Sequence, residues 1–177
     1  MNSVSSAGLV TLAGETLRRL GGSAESAAGV DALRDAGYAG GSAFYAAFAE
    51  MVRAGGGGDP AEMALDDFSA RASSFFADSG WGDIKLRSSH DALAVIDIER
   101  CWEAESGGGR GCHVTTGLLA GFLSPLAEYP VAVMEVECGS EGSATCRFLA
   151  GNAEMLDDAY QRLVSGEQWE TIGAGDL

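Results

Sequence analysis

The sequence predicts an α+β fold, an antiparallel sheet of two hairpins packed on helices. Three observations carry this. Apolar residues recur at spacings of three and four in four separate stretches, 23–54, 59–78, 112–124 and 152–164. The period switches to two around 84–98 and again around 131–150, each time as a pair of strand-length runs about a short polar turn. No strand–helix–strand alternation runs along the chain, so each pair of strands is left to pair with itself.

The elements follow in order. Residues 1–22 are rich in Ser, Gly and Thr, with a short amphipathic stretch around Leu12, Leu17 and Leu20, and read as an arm or short helix. From Ser23 to Ala54, Val30, Leu33, Gly37, Gly41, Phe44, Phe48 and Met51 share one helical face. Gly37 and Gly41 each cost about 1 kcal/mol relative to Ala inside a helix. Either they admit another backbone or one of them marks a break. Gly55 to Gly58 stop the helix. Asp59, Pro60 and Glu62 form a helix start, with Leu65, Phe68, Ala72, Phe75 and Phe76 behind it and an end at Asp78 to Gly80. Ile84 and Leu86 alternate with Lys85 and Arg87, Ser88 to Asp91 is a turn, and Leu93 to Ile98 is the return strand. A helical turn carries Cys101 and Trp102, and Ser106 to Gly111 is a Gly-rich loop. Cys112 to Ser124 is apolar nearly all round and predicts a buried helix, ended by Pro125. Val131 to Cys138 and Ser143 to Ala150 form the second hairpin about Gly139 to Gly142. Asn152 to Val164 is an amphipathic helix, and the last ten residues read as frayed. The domain organisation is an arm at 1–22, one domain at 23–165 and a tail at 166–177. With 177 residues and 46% apolar content, a core is available without disulfide staples.

Eleven basic residues against 26 acidic ones give a net charge of −15, which excludes nucleic acid and anionic membrane as partners by repulsion. No apolar run approaches the ~20 residues of a membrane span. The start, Met1-Asn2-Ser3-Val4, lacks a basic region followed by an apolar one, so a cytoplasmic chain with reduced thiols is expected.

The chemistry concentrates in Cys112, Glu135, Cys138 and Cys146. Cys138 and Cys146 bracket a tight hairpin, whose strand ends lie within about 5 Å of each other. Cys112 stands where a loop enters a helix, and the unpaired N–H groups there favour a thiolate. Glu135 offers an oxygen, and three sulfurs with one carboxylate close a tetrahedron of the kind that holds structural zinc. In a regular strand Glu135 and Cys138 point to opposite faces, so a bulge or the strand end must intervene. Spacing alone leaves buried free thiols, a Cys138–Cys146 disulfide, and His113 or Glu137 in place of Glu135 as alternatives. Cys101 is read as a buried thiol outside the set, and His90 as a solvated turn residue.

Cys112-His113-Val-Thr-Thr-Gly117-Leu-Leu-Ala-Gly121, Val131-Ala-Val-Met-Glu135-Val-Glu-Cys138 and Gly142-Ser-Ala-Thr-Cys146-Arg-Phe148 together resemble the 4-vinyl-reductase (4VR) domain family. The resemblance spans roughly residues 23 to 165. It implies a small-molecule-binding domain with the TRAPP-like, NO-signalling-type fold. Aromatic-sensing transcriptional regulators carry such a domain with a structural zinc. Their Cys, Glu, Cys, Cys ligand set falls in order on Cys112, Glu135, Cys138 and Cys146. Those sensors are fused to an ATPase and a DNA-binding domain. This sequence has neither a GxxxxGK[ST] phosphate loop nor a basic recognition helix.

A small hydrophobic ligand needs an apolar cavity with one or two polar anchors. Phe44, Tyr45, Phe48, Trp102 and Phe122 are the candidate lining, with His113 or Tyr45 as anchor, and core filling is the competing reading of each aromatic. No GxSxG and no GxGxxG after a strand is present, and there are only two His, so catalysis is not expected. The function expected is a zinc-stabilised, non-catalytic binding or sensory domain for a hydrophobic or aromatic molecule. A homodimer is expected from the resemblance and from the apolar, Gly-containing helix faces. The alternatives are a bacteriochlorophyll-pathway 4-vinyl reductase or tetrapyrrole carrier, and a TRAPP-like assembly scaffold.

Overall fold

The computed structural model describes residues 14–90, 93–106, 111–127 and 129–173 of the chain. The arm around Leu12, the interior of the Gly-rich loop, the turn residues Asp91 and Ala92, the His90 side chain and the last four residues lie outside that description. The described elements are α1 (Gly14–Ala28), α2 (Val30–Ala54), α3 (Leu65–Asp78), β1 (Asp83–His90), β2 (Leu93–Glu99), α4 (Trp102–Glu105), α5 (His113–Leu123), β3 (Ala132–Glu137), β4 (Cys146–Gly151), α6 (Ala153–Val164) and α7 (Trp169–Gly173).

The strands form one antiparallel sheet in the order β1-β2-β4-β3. Each hairpin pairs its own strands as the alternation predicts, and the two join through β2 and β4, where Ile96 faces Phe148 and Ile98 faces Cys146. Period-two alternation sorts the side chains into two layers. Ile84, Ile96, Ile98, Phe148 and Ala150 point to the face covered by α2, α3 and α5. Leu93, Val95 and Leu149 point to the other face and are covered by Leu156 and Ala159 of α6 and Ile172 of α7. The first layer is dominated by aromatic rings. Phe44, Phe48, Phe75, Phe76 and Phe122 interlock with centroids 4.6 to 6.0 Å apart in tilted and edge-to-face pairs.

Four boundaries differ from the sequence reading. The turn expected at Ser88 to Asp91 is shorter, because β1 continues through Ser88 to His90 with an irregular step in its pairing to β2. The helix expected from Ser23 to Ala54 breaks at Gly29, whose φ of 80° is open to glycine and strained for other residues. Asp59 does cap, accepting a bond from the Ala61 amide, but it caps only a 3-10 turn at Pro60–Glu62. Extended backbone at Met63 and Ala64 delays α3 to Leu65. The tail is not frayed throughout, because Trp169–Gly173 forms a short helix with Ile172 buried on the sheet.

Gly37 and Gly41 mark no break. They lie in α2 against Gly117 and Gly121 of α5, and the two backbones touch. A methyl on Gly37 would strike the Val114 carbonyl and lie 2.9 Å from the Leu118 amide, and one on Gly117 would strike the Arg34 carbonyl. These small-residue faces meet each other within the chain, so they are not the surface of a homodimer. We expect Gly117→Ala to lower stability by about 2–3 kcal/mol through overpacking against rigid backbone. Gly40→Ala, on the open side of α2 with nothing within 4 Å, should raise it by about 0.5–1 kcal/mol. Urea denaturation midpoints of the two variants check both signs.

Candidate metal centre and cavities

Three elements converge at one end of the sheet. Cys112 is the residue that enters α5, Cys138 follows β3, and Cys146 opens β4. All three are buried, and none is in a disulfide. The Cys112 sulfur lies 3.7 Å from Cys138 Sγ and 3.6 Å from Cys146 Sγ. Ligands at about 2.3 Å from a tetrahedral ion stand about 3.8 Å from one another, so this spacing is that of a thiolate-bound cation. Glu135 completes the group, with one oxygen and the three sulfurs all within 4.8 Å of one another. The anticipated irregularity is present. The β3–β4 register slips between Glu135 and Glu137, so that Glu135 and Cys138 reach the same face.

The residues fit a cation on a further observation. Glu135 Oε2 accepts a 2.7 Å bond from the Cys112 amide, while Oε1 is buried with no hydrogen-bond partner beside three sulfurs. A buried carboxylate oxygen without a partner is costly unless something positive meets it. Hydrogen bonds from Cys112 and Cys146 bring the Cys101 thiol down, and the contact with Cys101, together with burial, pushes Cys112 and Cys146 up. A divalent ion would favour the thiolate form of its ligands.

Of the alternatives left open by spacing, His113 folds back over Gly111, and Glu137 points to the opposite face. Two residues exceed the sequence reading. Cys101 is buried as expected, but its sulfur is 3.8 Å from Cys112 Sγ and so touches the cluster. Glu103 caps α5 from outside, accepting from the Val114 amide at 3.0 Å and from the Thr115 amide and hydroxyl at 2.8 and 2.7 Å. Burial holds its carboxyl above the usual range. Both residues are brought in across the Gly-rich loop, a connection that carries no spacing signal.

The candidate ligand residues divide. Phe44, Phe48 and Phe122 are buried in the ring cluster, with half-buried Tyr45 5.7 Å from Phe122. Trp102 and His113 instead line a narrow cleft of about 50 Å³ between α1, α4 and α5, together with Glu103, Ser106 and Gly111. The Trp102 Nε1 is buried there without a partner. A larger hollow of about 270 Å³ opens at the other end of the sheet, between Ala94, Ala150 and Gly151 below and Leu123, Leu126 and Val131 above, with Tyr129 and Leu65 at the rim. None of the six residues selected from the sequence lines it.

Residues 94–152 match the V4R domain family, a third of the chain that includes all four cluster residues. The phenol-responsive sensory domain of the transcription activator PoxR, solved with phenol, superposes with a TM-score of 0.66 at 15% identity, covering 90% of this chain and 84% of that one. A vinyl-4-reductase family protein from Methanocaldococcus jannaschii superposes at 0.52 with 18% identity, covering 77% and 76%. The fold is therefore the V4R fold, as the sequence motifs imply. No curated protein matches the chain. No helix among the described residues is long and apolar enough to cross a membrane.

We expect about one metal ion per chain by elemental analysis. Cys138→Ala should lose the ion and melt at lower temperature with less cooperativity, and a strong chelator should bring the parent protein to the same curve. Metal-free protein with a melting curve indifferent to chelator is the opposing result.

Proposed function

We propose that this chain is a zinc-stabilised, non-catalytic sensory domain that binds a small hydrophobic molecule, with a single aromatic ring as the preferred shape. The cluster of Cys112, Glu135, Cys138 and Cys146 carries this reading. It lies within the stretch that matches the V4R domain, and the sensory domain of PoxR, which shares this fold, is phenol-responsive. Four protein donors fill a tetrahedral ion, so the metal would hold the fold and leave no position for a substrate. When bound, it neutralises the thiolates and ties the loop before α5 to the second hairpin.

The ligand is assigned to the hollow above Ala94 and Ala150. Its lining is apolar, and its floor is low because both paired positions carry only a methyl group, whereas Ile96 and Phe148 fill the same layer one step along. About 150 Å³ of dry apolar space is enough for benzene. At about 270 Å³ the hollow stands at the low end of small-molecule sites, which favours one ring over a tetrapyrrole. Tyr129 at the rim supplies a hydroxyl for a polar substituent.

Addition of phenol, cresols or toluene should raise the melting temperature of the metal-loaded protein, by the equivalent of about 2.7 kcal/mol at a hundredfold excess over Kd. Ala150→Leu should fill the hollow and abolish that shift while metal content stays at the parental value. If no compound of such a panel moves the transition, or Ala150→Leu responds like the parent, the ligand reading fails.

A further inference from the structure

The two strands that carry the cluster have outer faces as well, and those faces are also specialised. Glu137 lies between Glu135 and Cys138 in sequence but points away from the sulfurs, and Arg147 follows Cys146 and does the same. The register sets three charges in a row across the sheet, Asp97 on β2, Arg147 on β4 and Glu137 on β3. Arg147 Nε donates to Asp97 at 2.5 Å, and its terminal nitrogen donates to Glu137 at 2.7 Å. Their side chains are only 17 to 30% exposed, so the pairs are sheltered and not loosely solvated.

The cover over this row is Trp169, the first residue of α7. Its ring lies over the Arg147 guanidinium, 4.2 Å from centroid to Cζ, and its indole N–H donates to the second oxygen of Glu137 at 3.0 Å. Arg87 approaches the same ring at 5.8 Å. Three residues on, Ile172 is buried against the outer face of the sheet. A five-residue helix has almost no stability of its own, so its position depends on these contacts.

From this we propose that Trp169, Glu137 and Arg147 form a clasp that docks the C-terminal helix only while the cluster on the opposite face holds Cys138 and Cys146 in register, so that metal occupancy is read out as docking or release of α7. The proposal rests on the metal reading above and adds its regulatory consequence. Glu137 and Arg147 are the immediate chain neighbours of two ligands, so a strand end that loosens when the ion leaves moves both halves of the clasp together. Linkage requires the reverse as well, in that weakening the clasp makes the metal easier to remove.

Hydrogen-exchange mass spectrometry of the full chain tests this. In the metal-loaded protein, Glu137→Gln should speed exchange over residues 168–172 roughly tenfold, the loss expected for one charge-assisted hydrogen bond, with α3 unchanged and about one ion retained. Trp169→Phe should give a similar increase and should speed metal transfer to a chromophoric chelator. Chelation of the parent protein should release 168–172, and adding zinc back should restore protection. If chelation unfolds the whole chain, α3 exchanges too and the two variants decide. Parental protection of 168–172 in both variants, or an unchanged metal transfer rate in Trp169→Phe, overturns the clasp. A parent protein that never holds an ion overturns the metal reading with it. A loaded protein whose α7 ignores chelation while β3 and β4 respond overturns the clasp alone.

Discussion

Three sulfurs and a carboxylate within 4.8 Å of one another are the constraint on which the rest of this structure depends. Without a counter-charge they repel once ionised and are expensive to bury, yet Cys112 is fully buried and Cys138 and Cys146 nearly so. What they join explains their value. Cys112 fixes the entry to the most buried helix, and Cys138 and Cys146 close the hairpin that lies beside it. Two sets of contacts meet at the α5 start, with Cys112 of the cluster at its entry and Glu103 accepting from the first helix N–H groups.

The glycine contact of α2 with α5 is the second determinant. Direct backbone contact leaves no room for side-chain adjustment, so α5 is placed along α2 as well as at its own N-terminus. With both ends of that geometry set, the aromatic rings of α2, α3 and α5 interlock around Phe122 and fill the layer above Phe148. Ring size is thus used up in the core at the cluster end, and the space that remains lies where the sheet carries alanine.

Much of this was legible in the sequence, and the failures have physical causes. The hairpins followed from alternation. Spacing offered the three cysteines and left Glu135, His113 and Glu137 open beside them, and the family resemblance pointed to Glu135. The need for a bulge or a strand end followed from the parity of Glu135 and Cys138. Core and pocket were not separable, since Phe44, Phe48 and Phe122 obey the same helical spacing in either role. The hollow is made by what is missing above Ala94 and Ala150, and a scan for aromatic residues does not detect missing volume. Cys101 and Glu103 reach the cluster and α5 across a glycine loop, where chain distance says nothing about spatial distance. The short α7 fell below the length at which periodicity is visible. Its anchor could have been found from the register, because once the bulge is placed Glu137 stands opposite Arg147.

The two ends of the sheet therefore differ in kind. At one end β3 and β4 bring the cluster residues to the inner face, and β2, β4 and β3 carry the charge row under Trp169 on the outer face. At the other end the inner face is hollow, and β1 pairs with β2 through an irregular step at Ser88 to His90. Residues of β2 and β4 belong to both ends, with Ala94 and Ala150 at the hollow and Ile98 and Cys146 at the cluster.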